Sequence, residues 1–206
     1  MIKLMKYLKR SAGYIMLIIA LLFLQAYCDL SLPNYTSNII NVGIQQNGIE
    51  DSVPEKIRKT SMDSLKLFME EDDAKTVDGF YEEEGDDLVL KDKISKEDRE
   101  ELNDIFGKPM VIVSTLTSDS EESKAALAKM GTPEGTDPLA ALSQMPAEAL
   151  AAMKEQVGEK IDKMQESIIT QAGVSYVRAE YEAMGEDVDA IQMDYMKATG
   201  IRMVLM

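Results

Sequence analysis

Apolar and polar positions divide this chain into one continuous greasy stretch and a series of short periodic ones. From Ser11 to Cys28 run eighteen residues without a charge, SAGYIMLIIALLFLQAYC. As a helix they reach about 27 Å, close to the ~30 Å of a hydrocarbon core. The pattern predicts a membrane helix over 11–32. Beyond Pro33, Ile39, Ile40, Val42 and Ile44 alternate with polar residues and prolong it to about residue 44, where Gly43 and Asn47-Gly48 stop it. Next, DSVPEKIRKTSMDSLKLFM (51–69) predicts a helix, with Ser52 as cap, Pro54 in the first turn, and Val53, Ile57, Leu65, Phe68 and Met69 loosely on one face. Phe80-Tyr81 and Leu88-Val89-Leu90 around Gly85-Asp86-Asp87 predict a small β-hairpin.

SKEDREELNDIFGKP carries the clearest punctuation. Ser95 is the cap, Glu97 and Asp98 suit the positive helix end, Leu102, Ile105 and Phe106 share a face, and Gly107 with Pro109 ends the helix. MVIVSTL (110–116) is apolar and fits a buried strand or a helix equally. Residues 117–145 turn to Ser, Thr, Ala, Gly and Pro, the composition of a mobile connection. After Pro146, the spacing of Leu150, Met153, Val157, Ile161, Met164 and Ile168 predicts a long helix that Gly158 weakens and Gly173 divides from the next piece. Val174, Val177, Tyr181 and Met184 mark that next piece, ended by Gly185, and a last helix opens on EDVD and becomes apolar in GIRMVLM. The fold class expected is mainly α: a membrane helix, a mostly helical domain with a small β-hairpin over 45–186, and over 187–206 the approach to and start of a second membrane helix.

Charge adds orientation. No acid precedes Asp29, whereas Lys3, Lys6, Lys9 and Arg10 are basic; from Asp29 to Tyr195 there are 16 Lys or Arg against 37 Asp or Glu, a net −21. By the positive-inside tendency, residues 1–10 are a cytosolic elbow and about 29–195 are extracellular, in the cell membrane. The acidic bulk repels nucleic acid, so none is expected as a partner. A cleaved signal peptide is the competing reading. Gln25 and Tyr27, three and one residues before Cys28, suit neither a signal peptidase nor a lipoprotein cut.

Chemistry is sparse. There is no His, one Cys and no Trp, which removes His-based triads, His metal sites and any intramolecular disulfide. EEDD (70–73) and EEEGDD (82–87) lack the spacing of a calcium loop and read as solvated loop surface. The methionines, Met153 and Met164 among them, fall in register with apolar neighbours and read as packing. Ser120 with Lys124 lacks an oxyanion-hole signal. No phosphate loop occurs, GTPEGTDP having no lysine. Catalytic, cofactor-binding and metal sites are therefore expected to be none, and the chain is not expected to be an enzyme by itself.

Two flanks resemble a known family. LKRSAGYIMLIIALLFLQAYCDLSLPNYTSNIINVGI looks like the start of a bacterial ABC exporter half-transporter, and QAGVSYVRAEYEAMGEDVDAIQMDYMKATGIRMVLM looks like the approach to its second membrane helix. The resemblance is to a subgroup with a large extracellular insertion between helices one and two. It implies the N-terminal part of the permease domain of an ATP-driven exporter, with ATP and Mg bound by a nucleotide-binding domain that lies outside this chain. It further implies as partners the lipid bilayer, a second half-transporter and an exported substrate; Gln25 and Tyr27 line or support the pathway if the first helix faces it. The alternatives are the extracytoplasmic sensor domain of a two-helix receptor or kinase, and a signal-anchored extracellular binding protein.

Overall fold

The structure is a computed structural model and describes residues 12–117 and 163–206, with Lys154, Gly158 and Ile161 between them. The elbow at 1–10, the 118–145 stretch with Ser120, Lys124 and GTPEGTDP, and Leu150, Met153 and Val157 lie outside the described residues. The chain is mainly α with one small antiparallel sheet, and it divides into two units: residues 1–48 with 192–206, and the inserted Ile49–Ile191.

In the first unit, α1 (Ala12–Asn38) passes through Pro33 without ending and continues as a π-helical segment, Ile39–Gln45. Together they form a helix of 34 residues with an 18-residue window of mean hydropathy 2.1, long and apolar enough to cross a membrane. Its apolar side chains are bare: Phe23 is 74% and Leu30 76% exposed. Asn47 and Gly48, with φ of 54° and 80°, close it. Of the two stops expected, Asn47-Gly48 closes the helix and Gly43 lies inside it, because only at the Asn-Gly pair does the backbone turn left-handed.

In the inserted unit the helix expected over 51–69 forms only at Lys59–Lys66. Residues 51–58 are not helical: Asp51, Ser52 and Glu55 are bends around an irregular Val53-Pro54, and Lys56–Arg58 is strand β1, followed by a short helix, α2 (Lys59–Lys66). The apolar set read from the sequence is right, with Val53, Ile57, Leu65 and Met69 all buried. Its geometry differs because side chains elsewhere satisfy the amides of the segment. Val53 N–H donates to Asp51 Oδ1 (3.0 Å), Ser52 N–H to Asn103 Oδ1 (2.9 Å) and Glu55 N–H to the Tyr181 hydroxyl (2.8 Å). With its donors met there, the chain gains nothing from a helical turn.

EEDD is not a loop surface either: Glu71–Phe80 is helix α3, with three acids in its first turn where the partial positive charge sits. The hairpin forms as expected, β2 (Tyr81–Glu84) against β3 (Asp87–Leu90), with Gly85 at φ 65° at the first position of the turn. β1 pairs on the other side of β3, giving the order β1-β3-β2. Ile57 faces Leu88 and Tyr81 faces Leu90, so period two carries this row to the core and Lys56, Arg58, Asp87 and Glu82 to the opposite face.

Helix α4 (Lys96–Thr117) starts on the Ser95 cap: Asp98 N–H donates to Ser95 Oγ (3.0 Å) and Ser95 N–H to Asp98 Oδ2 (3.3 Å). It does not stop at Gly107 and Pro109. Proline inside a helix costs about 3 kcal/mol. Met110, Val111, Ile112, Val113 and Leu116 are all buried beyond it, and at about 1.5–3 kcal/mol each that burial outweighs the loss. MVIVSTL is therefore helix. Gly107 is a contact point, since a Cβ there would lie 2.9 Å from Ile169 Cγ2.

Gly173 does not divide helices. It lies buried inside α5 (Glu166–Met184), and the interruption comes earlier, where Met164 N–H reaches back to Ile161 O at 2.8 Å and Gln165 is extended. Along α5, Gly173, Val174, Val177, Glu180 and Tyr181 face inward. They meet a core of Ile57, Met62, Leu65, Leu102, Phe106 and Met110; the Phe106 ring stands edge-on to Tyr81 at 6.0 Å. Gly185 (φ 78°) ends α5 as expected: Glu186 N–H bonds Tyr181 O at 2.9 Å and Gly185 N–H bonds Glu182 O at 3.1 Å. Gly185→Ala should therefore cost about 1 kcal/mol in urea unfolding with no change of fold. Asp187 then caps α6 (Val188–Leu205) by accepting the Ala190 N–H at 3.0 Å.

Candidate functional site

The inserted unit holds a cleft of about 640 Å³ where β1 and α2 meet α4 and α5, lined among others by Arg58, Ser61, Ser114, Ser175, Tyr176 and Glu180. Arg58 and Ser61 come from the junction of β1 and α2, whereas Tyr176 and Glu180 are one helical turn apart on α5, so both project to the same side. Glu180 is 5% exposed and accepts four hydrogen bonds. Oε1 takes the Arg58 main-chain N–H (3.1 Å) and Nε (2.8 Å), and Oε2 takes Arg58 Nη2 (2.7 Å) and Ser61 Oγ (2.9 Å).

Burial alone would push the Glu180 carboxyl up, but the Arg58 and Ser61 donors outweigh it and hold the group below its ordinary range. Tyr176, hydrogen-bonded to Ser61, is pushed up to about 12 by burial and by the Glu180 charge. The Ser114 and Ser175 hydroxyls are donated to main-chain carbonyls of their own helices, Val111 O and Gln171 O. A carboxylate held ionised by four donors does not exchange protons near neutral pH, and a phenol at about 12 is no base there. The cluster is suited to tying β1 to α5.

A second network fastens the irregular segment at 51–55. Arg99 forks onto Asp51 (Nε–Oδ2 2.6 Å, Nη2–Oδ1 3.1 Å) and reaches Glu55 Oε1 at 2.7 Å. The Tyr81 hydroxyl donates to Pro54 O at 2.7 Å, and burial raises its pKa strongly. Neither Glu180 nor Arg99 was singled out from the sequence. One signal was present: Glu180 falls three residues after Val177 and one before Tyr181, an acid on a buried stripe.

Of the residues that the sequence did single out, Gln25 and Tyr27 are exposed on α1, and the Cys28 thiol donates to Met206 O at 3.1 Å. Met164 is half-buried against Val111, Ile112, Leu116 and Ile161. The acids of 70–73 lie at the start of α3 and those of 82–87 on the hairpin, and among the described residues no three ligating side chains converge. Also in the first unit, Gln192 Nε2 donates to Gly43 O at 2.7 Å and Met196 packs on Gly43. The chain therefore rejoins this unit beside the place where it leaves it. Comparison with protein families, with curated proteins and with solved structures finds no match to this chain.

Proposed function

We propose that this chain is the N-terminal part of the permease domain of an ATP-driven exporter of the ABC type, contributing a pathway helix and an extracellular gate or docking domain. The reading rests on the resemblance of the two flanks. One structural observation supports it: a 34-residue apolar helix belongs to a unit made of two chain segments, with an acidic unit inserted between them. An insertion whose two ends are adjacent leaves the pairing of the flanking helices undisturbed. In this reading residues 1–10 are cytosolic and about 29–195 lie outside the cell. The partners are the bilayer, a second half-transporter and the exported compound, and ATP with Mg is bound by a domain that follows in the parent protein. The chain itself performs no reaction.

The topology has a direct test in whole cells carrying a Cys28→Ser background. A thiol reagent that does not cross the bilayer should modify Lys96→Cys, whose side chain is exposed, and leave Lys3→Cys untouched until the membrane is opened. The opposite pattern removes the proposed orientation. In the reading frame that follows Met206, further membrane spans and a phosphate loop favour the exporter, whereas a signalling helix or kinase domain directly after one more span favours the sensor.

A further inference from the structure

The C-terminal end of the apolar helix departs from α geometry. Over Ile39–Gln45 the backbone is π-helical, and Gln46 N–H bonds Asn41 O, five residues back, at 3.1 Å. The widened turn puts the last carbonyls out of step. Gly48 N–H is spent on Val42 O at 2.8 Å, and Gly43 O takes a side-chain donor, Gln192 Nε2, at 2.7 Å. Gly43 is buried, and a Cβ on it would lie 3.1 Å from Met196 Cγ. Gln46 Oε1 is buried with no hydrogen-bond partner among the described residues, and Asn47 and Gly48 are both left-handed. A π-turn is less favourable than the α-turn that the same residues can form. An orphaned buried acceptor adds to the strain. In α geometry the Gly43 carbonyl would receive the Asn47 N–H, four residues on, and would have no need of Gln192.

We propose that residues 39–45 form a two-position joint, with the Gln192 to Gly43 hydrogen bond as its catch. With the catch closed the segment is π-helical. With it open the segment relaxes to α and turns Ala12–Asn38 by about one residue, ~100°, around its own axis. Gln25 and Tyr27 turn with it. Two register states of one helix, biased by a single hydrogen bond, form a bistable element.

The test uses the full chain in lipid nanodiscs, in a Cys28→Ser background, with nitroxide labels on Leu30→Cys and Ile201→Cys, both exposed positions of the same unit. Pulsed electron resonance reads the distance between them. Removing the donor by Gln192→Ala, or by the equally long Gln192→Glu at neutral pH, should raise the ratio of a second distance to the parent distance by roughly fivefold, the worth of one hydrogen bond of about 1 kcal/mol. Deleting Val42, which takes one residue out of the widened turn, should leave that second distance alone. A parent-like distribution in both Gln192 variants overturns the joint. A second distance in those variants that differs from the one in the deletion overturns it equally, and if the deletion does not insert, the two Gln192 variants decide.

Discussion

Replacing Gly173 by alanine should cost the inserted unit about 3 kcal/mol, the upper end of what overpacking does in a closed interior. A Cβ at that position would lie 2.1 Å from Ser52 Oγ and 2.7 Å from Ser52 Cβ. Ser52 has nowhere to go, being wholly buried and tied through its main-chain N–H to Asn103 Oδ1. Urea unfolding of the chain in detergent micelles, followed by circular dichroism, measures the loss. Ser52→Gly in the same chain should restore most of it, because both clashing atoms leave together, and the double-mutant cycle should then show strong coupling. Among the described residues, Ser52 Oγ has no hydrogen-bond partner. Ser52→Ala alone should therefore stabilise by about 1 kcal/mol, since it removes a buried hydroxyl that gains nothing from its surroundings.

This contact also explains where the sequence could be read and where it could not. The Ser95 cap, the Gly85 turn and the Gly185 helix end were legible because each is settled within a few residues by one left-handed glycine or one side-chain acceptor. Gly107, Pro109 and Gly173 were misread by the same local logic. Two of them are places where neighbouring parts of the chain approach too closely for a Cβ, and the third lies in a helix held by the burial that follows it. Strand β1 was missed because three residues pairing with a partner 31 positions on leave no local period, as in Ile57 opposite Leu88. The cleft shares that difficulty: Arg58 and Glu180 are 122 residues apart, and only an acid on an apolar stripe hints at a partner.

The Glu180 carboxylate gives the second large effect. Glu180→Ala should cost about 2–3 kcal/mol, below the 3–5 kcal/mol of a wholly buried pair because the Arg58 side chain is 42% exposed and part of its charge is returned to solvent. Glu180→Gln keeps the shape, weakens the bonds from Arg58 and should lose less. The sign with pH follows from the direction of the shift. The folded-state pKa lies below the ordinary 4.5, so the stabilisation is complete above that value and fades as pH falls through the lower folded value. Urea midpoints measured from neutral to acid should show the parent chain losing this contribution on acidification. In Glu180→Ala the corresponding step should vanish, and an undiminished acid step there would assign the acid sensitivity to other carboxylates.

Strand β2 is an edge of the sheet, and after the buried Tyr81 its remaining residues, Glu82, Glu83 and Glu84, are all exposed. An open strand edge is a template on which a second molecule adds a strand and begins an aggregate. Two copies approaching edge to edge here must bring together three glutamates from each side, so the chain resists polymerising even when crowded. Among the described residues, Glu83 alone of the three has its charge already answered, by Lys59. The guard is therefore one of charge, and added salt that screens these charges lowers it.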